Sequence, residues 1–185
     1  MREIKNNCEV VIPDNQIIKV DYQNIETLKN RVNSNTRKRI RLCAHKNIDD
    51  VLHEMLIVLT EDTYIRPHRH LGKSESFHII EGLADIIIFD EDGNIIEIVT
   101  MGNYTSGRKF YYRLSDPYYH TLLILSDTLV FHETTNGPFK KSDTKFAAWA
   151  PDETDIIAGK KFLKQLIQNF KNDEEEKLQN DCYQH

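Results

Sequence analysis

The chain has 185 residues, 39% hydrophobic and 29% charged, enough apolar material for one core beneath a well-solvated surface. Its 24 Lys and Arg residues against 29 Asp and Glu give a formal charge of −5, which argues against a nucleic-acid or anionic-membrane partner. No apolar run approaches the roughly 18 residues of a spanning helix. Cys8, Cys43 and Cys182 are too scattered for a disulfide framework or a CxxC pair.

The opening MREIKNNCEV lacks the apolar stretch of a secretory signal, so a cytoplasmic location is expected. Glu9 to Val20 reads as two short strands around a Pro-Asp-Asn turn. Ile25, Leu28 and Val32, spaced by three and four, predict an amphipathic helix over Asn24 to Val32. The basic cluster NSNTRKRIR then reads as a solvated loop entering a strand, not as a phosphate site. From Arg41 to Glu133 short apolar segments alternate with turn signals and show almost no helical period. IIIFDEDGNIIEIV is a hairpin signature, with Asp92-Gly93-Asn94 between two β-branched runs. Strands spaced near ten residues predict an antiparallel sandwich or barrel. After Pro151 the stripe Ile156, Ile157, Phe162, Leu163, Leu166, Ile167 and Phe170 predicts a helix that packs outside that barrel. The divisions expected are therefore an N-terminal strand and helix extension (1–40), a mainly β barrel (41–151), a C-terminal amphipathic helix (152–171) and a charged, flexible tail (172–185).

The chemically informative segment is YIRPHRHLGKSESFHIIEG. His68 and His70, two apart, share one face of a strand. Glu75, Phe77 and Ile79 share a face of the next strand, so an inward Phe77 and Ile79 bring Glu75 inward too. Two imidazoles and a carboxylate inside a barrel form a nitrogen and oxygen site for a divalent transition metal, which would offset the cost of burying them. A lone His-x-His is a weak signal. His120, heading the apolar strand HTLLIL, supplies a further candidate. His78 faces away from Glu75, and His132 away from Glu133, which excludes both as ligands.

The segment His68 to Gly82 resembles the first cupin motif, H-x-H-x(3,4)-E-x(6)-G, and His120 resembles the histidine of the second. PHRHLGKSE (Pro67 to Glu75), HETTNGPFKKSD (His132 to Asp143) and DTKFAAWAPDE (Asp143 to Glu153) are similar to segments of the WbuC-type cupin-fold metalloproteins. The resemblance runs from about Thr36 to Glu153. It implies a double-stranded β-helix, or jelly roll, holding one divalent transition metal (Zn, Ni, Fe or Mn) through His68, His70, Glu75 and His120. Two departures stand out: Asp62 occupies the position of a usual glycine, and Ser115-Asp116-Pro117 replaces a usual Pro-x-Gly.

Glu133 shares the face of Leu129 and Phe131 and is a candidate general base, or a partner of a ligand imidazole. Lys73, Tyr64 and Tyr118 are candidate substrate-binding residues, Lys73 for an anion and the tyrosines at the barrel mouth. Trp149 is expected to anchor the helix to the barrel, and Arg69 to point outward. Walker, GxGxxG and GxSxG motifs are all missing. The WbuC resemblance implies action on a sugar or nucleotide-sugar in surface polysaccharide synthesis. A non-catalytic metal-dependent sugar-binding or sensor module and an Fe(II)-dependent oxygenase are the alternatives. Pairing through the N-terminal strands leads to the expectation of a homodimer.

Overall fold

A computed structural model describes residues 3–6 and 9–182. Among these residues, twelve strands and two α-helices form four layers: helix α1, a seven-stranded sheet, a five-stranded sheet and helix α2. The strands are β1 (Glu3–Asn6), β2 (Val10–Pro13), β3 (Arg39–Cys43), β4 (Leu52–Thr60), β5 (His68–His70) and β6 (Glu75–Glu81). They continue as β7 (Leu83–Phe89), β8 (Ile95–Gly102), β9 (Tyr111–Leu114), β10 (Tyr119–Ile124), β11 (Thr128–Asn136) and β12 (Thr144–Phe146).

One sheet has the order β1-β2-β3-β4-β11-β6-β9 and the other β12-β5-β10-β7-β8. Strands β4-β11-β6-β9 facing β5-β10-β7-β8 interleave early and late strands as two Greek keys do. This is the jelly-roll, double-stranded β-helix topology expected from the sequence. The core between the sheets contains Leu59, Phe77, Ile79, Ile86, Leu122, Leu129 and Phe131.

The flanking layers follow from sequence patterns. Asp21 caps α1 (Tyr22–Val32): its side chain accepts from the Asn24 N–H while Asn24 Oδ1 accepts from the Asp21 N–H. Ile25, Leu28 and Val32 of this helix close over Ile40, Leu42, Val58 and Val130 on the outer face of the larger sheet. Helix α2 (Ile156–Cys182) covers the outer face of the smaller sheet, placing Leu163 and Ile167 against Ile87 and Phe89. Strand β7 is thus buried on both faces, which explains its unbroken Ile-Ile-Ile-Phe run.

Three expectations are corrected. Of the two strands placed between Glu9 and Val20, only β2 forms. Its antiparallel partner is β1, upstream, while Ile18 and Val20 are loop residues packed on the α1 cluster. β2 also pairs with β3 in parallel, with α1 as the crossover. Helix α2 starts at Ile156 rather than Asp152, because Asp152 accepts from the Thr154 N–H in a turn ahead of it. It continues through Cys182, where a tail was expected, because Glu, Lys, Leu and Gln favour helical backbone.

Two glycines are dictated by geometry. Gly82 takes φ +91° in the turn from β6 to β7, where a Cβ would lie 2.3 Å from the Thr128 carbonyl oxygen. At Gly159 a Cβ would come within 2.3 Å of the Tyr64 ring, so α2 lies directly on that tyrosine. The β7–β8 turn is instead organised by Asp90, whose carboxylate accepts from the N–H groups of Asp92 and Asn94. Arg37 joins the N-terminal strands to the approach to α2 by pairing with both Glu9 and Glu153.

Candidate metal centre

Strand β5 is only three residues long and is held from both sides. Its His68 lies opposite His120 of β10 and Phe146 of β12, and its His70 opposite Thr144. The Ala147 N–H donates to the Pro67 carbonyl at 2.9 Å, and the Arg66 guanidinium returns to the Ala147 carbonyl at 2.8 Å. Period-two alternation then puts the imidazoles of His68 and His70 on one face, beside that of His120. Ring centroids are 5.0 Å apart for His68–His70, 4.7 Å for His68–His120 and 5.7 Å for His70–His120.

Each imidazole has its Nδ1 engaged by the protein. Nδ1 of His68 lies 2.9 Å from the Arg66 carbonyl, and that of His120 3.1 Å from the Tyr118 carbonyl. A carbonyl only accepts, so these two nitrogens donate, and each Nε2 is the atom left to coordinate an ion once it is unprotonated. Nδ1 of His70 is 3.2 Å from the Thr144 hydroxyl. One ligand atom from each of the three histidines lies within 4.8 Å of the others.

Glu75 completes the group from the facing sheet. Its Oε1 is 2.8 Å from His120 Nε2 and its Oε2 3.5 Å from His70 Nε2. Glu75 Oε1 and His120 Nε2 are nonetheless buried without a hydrogen-bond partner of acceptable geometry. Three imidazoles gathered within reach of one ion, beside a carboxylate with an unpartnered oxygen, are a donor set suited to a divalent first-row metal, so these residues fit the ion expected from the sequence.

Without an ion, the electrostatics favour neutral His68 and His70 and a charge pair between His120 and Glu75, which a bound cation would replace. Burial, reinforced by repulsion from His120 and His70, pushes His68 down to about 3, so its imidazole is neutral. His70 is lowered by burial, against the attraction of Glu75. Burial would raise Glu75, but the imidazoles, His120 foremost, outweigh it and hold the carboxyl at about 2. His120 itself is raised: burial opposes its charge and the Glu75 carboxylate overcomes that opposition.

The remaining candidates are placed differently. Glu133 sits on β11 between Met55 and Phe77, on the inner face, one row from Glu75. Burial and the negative field of Glu75, against Arg41 and His120, raise it to about 8. Lys73 donates to the Pro138 carbonyl at 2.6 Å and faces Asp143 at 3.7 Å, tying down the loop after β11. Tyr64 is not brought to the centre: 4% exposed, it belongs to the cluster beneath α2, with its hydroxyl on the Pro151 carbonyl at 3.0 Å. Tyr118 is exposed on the rim of a cleft beside the centre. Arg69 points outward, pairs with Glu91 and lies over the Tyr119 ring. Trp149 packs on Phe89, Tyr119 and Phe162, between barrel and helix.

Neither motif departure displaces a candidate ligand. Asp62 does not need left-handed backbone and pairs with Lys160 at 3.3 Å. His120 is 1% exposed at the start of β10 despite the altered turn before it. Two residues escaped the sequence reading. Thr144 orients His70 through a cross-strand pairing that spacing cannot reveal. Tyr112 could have been found, since alternation along β9 turns it inward with Leu114.

The fold is a cupin-type barrel that gathers His68, His70 and His120 into a group that could hold a metal ion, with the Glu75 carboxylate beside it. A domain of unknown function, DUF6016, matches residues 20–101, a stretch that contains His68, His70 and Glu75 and ends before His120. No curated protein matches the chain. Among solved structures, protein SO0799 from Shewanella oneidensis is similar with a TM-score of 0.50 at 9% identity, over 60% of this chain and 75% of that one. Oxalate decarboxylase from Bacillus subtilis gives 0.45 at 19% identity, over 58% of this chain and 27% of that one. The capsular polysaccharide assembling protein CapF from Staphylococcus aureus gives 0.46 at 19% identity, over 57% and 29%. The matched region thus spans under a third of the last two chains, and the likeness concerns the fold alone. No helix among the described residues is long and apolar enough to cross a membrane.

Proposed function

We propose that this protein is a small metalloenzyme acting on a sugar or nucleotide-sugar in surface polysaccharide synthesis, with one Zn, Ni, Fe or Mn ion held by His68, His70, Glu75 and His120. The observation that carries the metal is the gathering of three imidazoles, two with Nδ1 donating to carbonyls, beside the Glu75 carboxylate, one oxygen of which has no hydrogen-bond partner. The sugar substrate rests on the sequence resemblance of PHRHLGKSE and DTKFAAWAP. Such an ion supplies Lewis-acid polarisation of a carbonyl or hydroxyl when bound.

The chain's own groups supply the rest. Glu133, whose carboxyl lies one row from the candidate ligands and is raised by burial and by Glu75 in the ion-free protein, can give a proton to a substrate oxygen or take one back. Glu75 offsets the charge of a bound cation. Within the same reading the protein is cytoplasmic, and it dimerises through β1, the terminal strand of the larger sheet. A single monomeric mass by light scattering would exclude that dimer.

Anaerobic incubation of metal-loaded protein with UDP- and dTDP-linked hexoses in deuterium oxide tests the catalytic reading by proton NMR. Solvent deuterium should enter the sugar ring, and Glu133→Gln should abolish that exchange. Absence of exchange or turnover across the panel in fully loaded protein would contradict it, and turnover with oxygen consumption only in a parallel aerobic incubation would replace it with the oxygenase alternative.

A further inference from the structure

Strands β8 and β9 end their respective sheets, and the seam between them is uneven. At the end away from the histidines it is stitched, by a Met101–Lys109 bridge and a Gly102 N–H to Lys109 carbonyl hydrogen bond of 3.0 Å. Toward the histidines it opens into a cleft of about 430 Å³. Two of its wall residues are direct register neighbours of proposed ligands: Ile88 lies opposite His120, and Leu114 opposite Glu75. The cleft therefore borders the metal centre through Ile88 and Leu114, although none of the four candidate ligands lines it.

Tyr112 also lines it. On β9 it faces Phe77, which makes it the diagonal same-face neighbour of Glu75, a spacing that aromatic side chains span. The residue is 9% exposed, and its hydroxyl is buried without a hydrogen-bond partner. A buried phenol left unpaired costs stability and calls for a partner. Burial, with the negative fields of Glu75 and Glu97, raises its pKa, so the group stays protonated. At the rim, Tyr111 and Tyr118 expose aromatic faces, and Lys109 and Arg113 outnumber Glu97 in charge.

We propose that this lateral cleft is where the metal centre receives its ligand, and that the Tyr112 hydroxyl hydrogen-bonds that ligand from the cleft's inner end. The ligand is a hydroxylated ring bearing an anionic group: the ring stacks on the rim tyrosines, the anion meets Lys109 and Arg113, and a ring oxygen or hydroxyl satisfies Tyr112. This assignment deepens the metalloenzyme reading and rests on it.

The experiment is calorimetric titration of metal-quantified protein with D-glucuronate, and with D-glucose as the uncharged counterpart. The parent should bind glucuronate more tightly than glucose. Tyr112→Phe should keep the metal and weaken glucuronate binding about tenfold or more. Its thermal midpoint should be unchanged or raised, because the unpaired hydroxyl is gone, and a purely structural tyrosine would not combine these two effects. Arg113→Ala, on the exposed rim, should weaken glucuronate but not glucose, and it tests the cleft independently should Tyr112→Phe fold poorly. Unchanged glucuronate affinity in Tyr112→Phe and Arg113→Ala, or a metal-loaded parent that binds no glucuronate, overturns the proposal. A parent without metal that binds glucuronate through Tyr112 would overturn the metal reading and leave the cleft standing.

Discussion

Strands β6, β10 and β11 each run between two unlike ends of the barrel: Ile79, Ile124 and Leu129 lie at one, Glu75, His120 and Glu133 at the other. The same period-two alternation turns both sets inward. At the first end the inward atoms are carbon, and burial alone stabilises them. At the second, Glu75 Oε1, His120 Nε2 and the Tyr112 hydroxyl are buried without a hydrogen-bond partner. One end of the barrel therefore contributes stability, and the other gives some up to hold groups that a ligand can satisfy.

The largest effect that sharpens this contrast belongs to the apolar end. Phe131 is 2% exposed and packs against Phe77 at a centroid distance of 4.9 Å. Phe131→Ala should cost ~3–5 kcal/mol in urea denaturation, through lost transfer energy and a cavity. A loss under ~1 kcal/mol would mean that this end is not the stabilising one.

At the polar end the sign reverses for Glu133. An acid whose folded pKa is raised, here from 4.5 to about 8, is destabilised by its charge in the folded state. Chelator-treated protein should therefore lose stability as pH rises from about 4.5 toward 8 and level off above that. Glu133→Gln should flatten the profile and exceed the parent in denaturant midpoint at pH 8. An unchanged profile in the variant would remove Glu133 from the buried polar end.

Smaller effects probe how the centre is held. Thr144→Val removes the hydroxyl beside His70 Nδ1 and should weaken metal affinity about 10–100-fold with little change in folding stability, measured by competition with a chromophoric chelator. Tyr64→Phe loses one hydrogen bond to the Pro151 carbonyl, beneath α2 and away from the centre. It should cost about 1 kcal/mol and leave metal affinity unchanged. Altered metal affinity in that variant would link the α2 layer to the centre.

Much of this architecture was legible because alternation is a local property. It placed Glu75 with Phe77 and Ile79, and Glu133 with Leu129 and Phe131, and it turned His78 outward. The stripe from Ile156 onward gave α2 its covering role in the same way. What stayed hidden depends on partners remote in the chain. The parallel pairing of β2 with β3 needs α1 as a crossover, and Ile18 and Val20 are apolar because α1 lies nearby, not because they form a strand. Thr144 matters only through its position opposite His70. Tyr64 looked like a mouth residue because a tyrosine precedes the ligand segment, yet Gly159 of α2 lies against its ring. Sequence periodicity assigns faces; which element covers a face is settled by tertiary pairing.

The central claim is that the polar end is built around a metal ion. Elemental analysis of protein purified without a polyhistidine tag, beside His68→Ala and His120→Ala variants of unchanged circular dichroism, tests it most directly. About one divalent transition-metal ion per chain is expected in the parent, with loss in both variants. No metal in the parent after reconstitution, or full metal in both variants, would contradict the account.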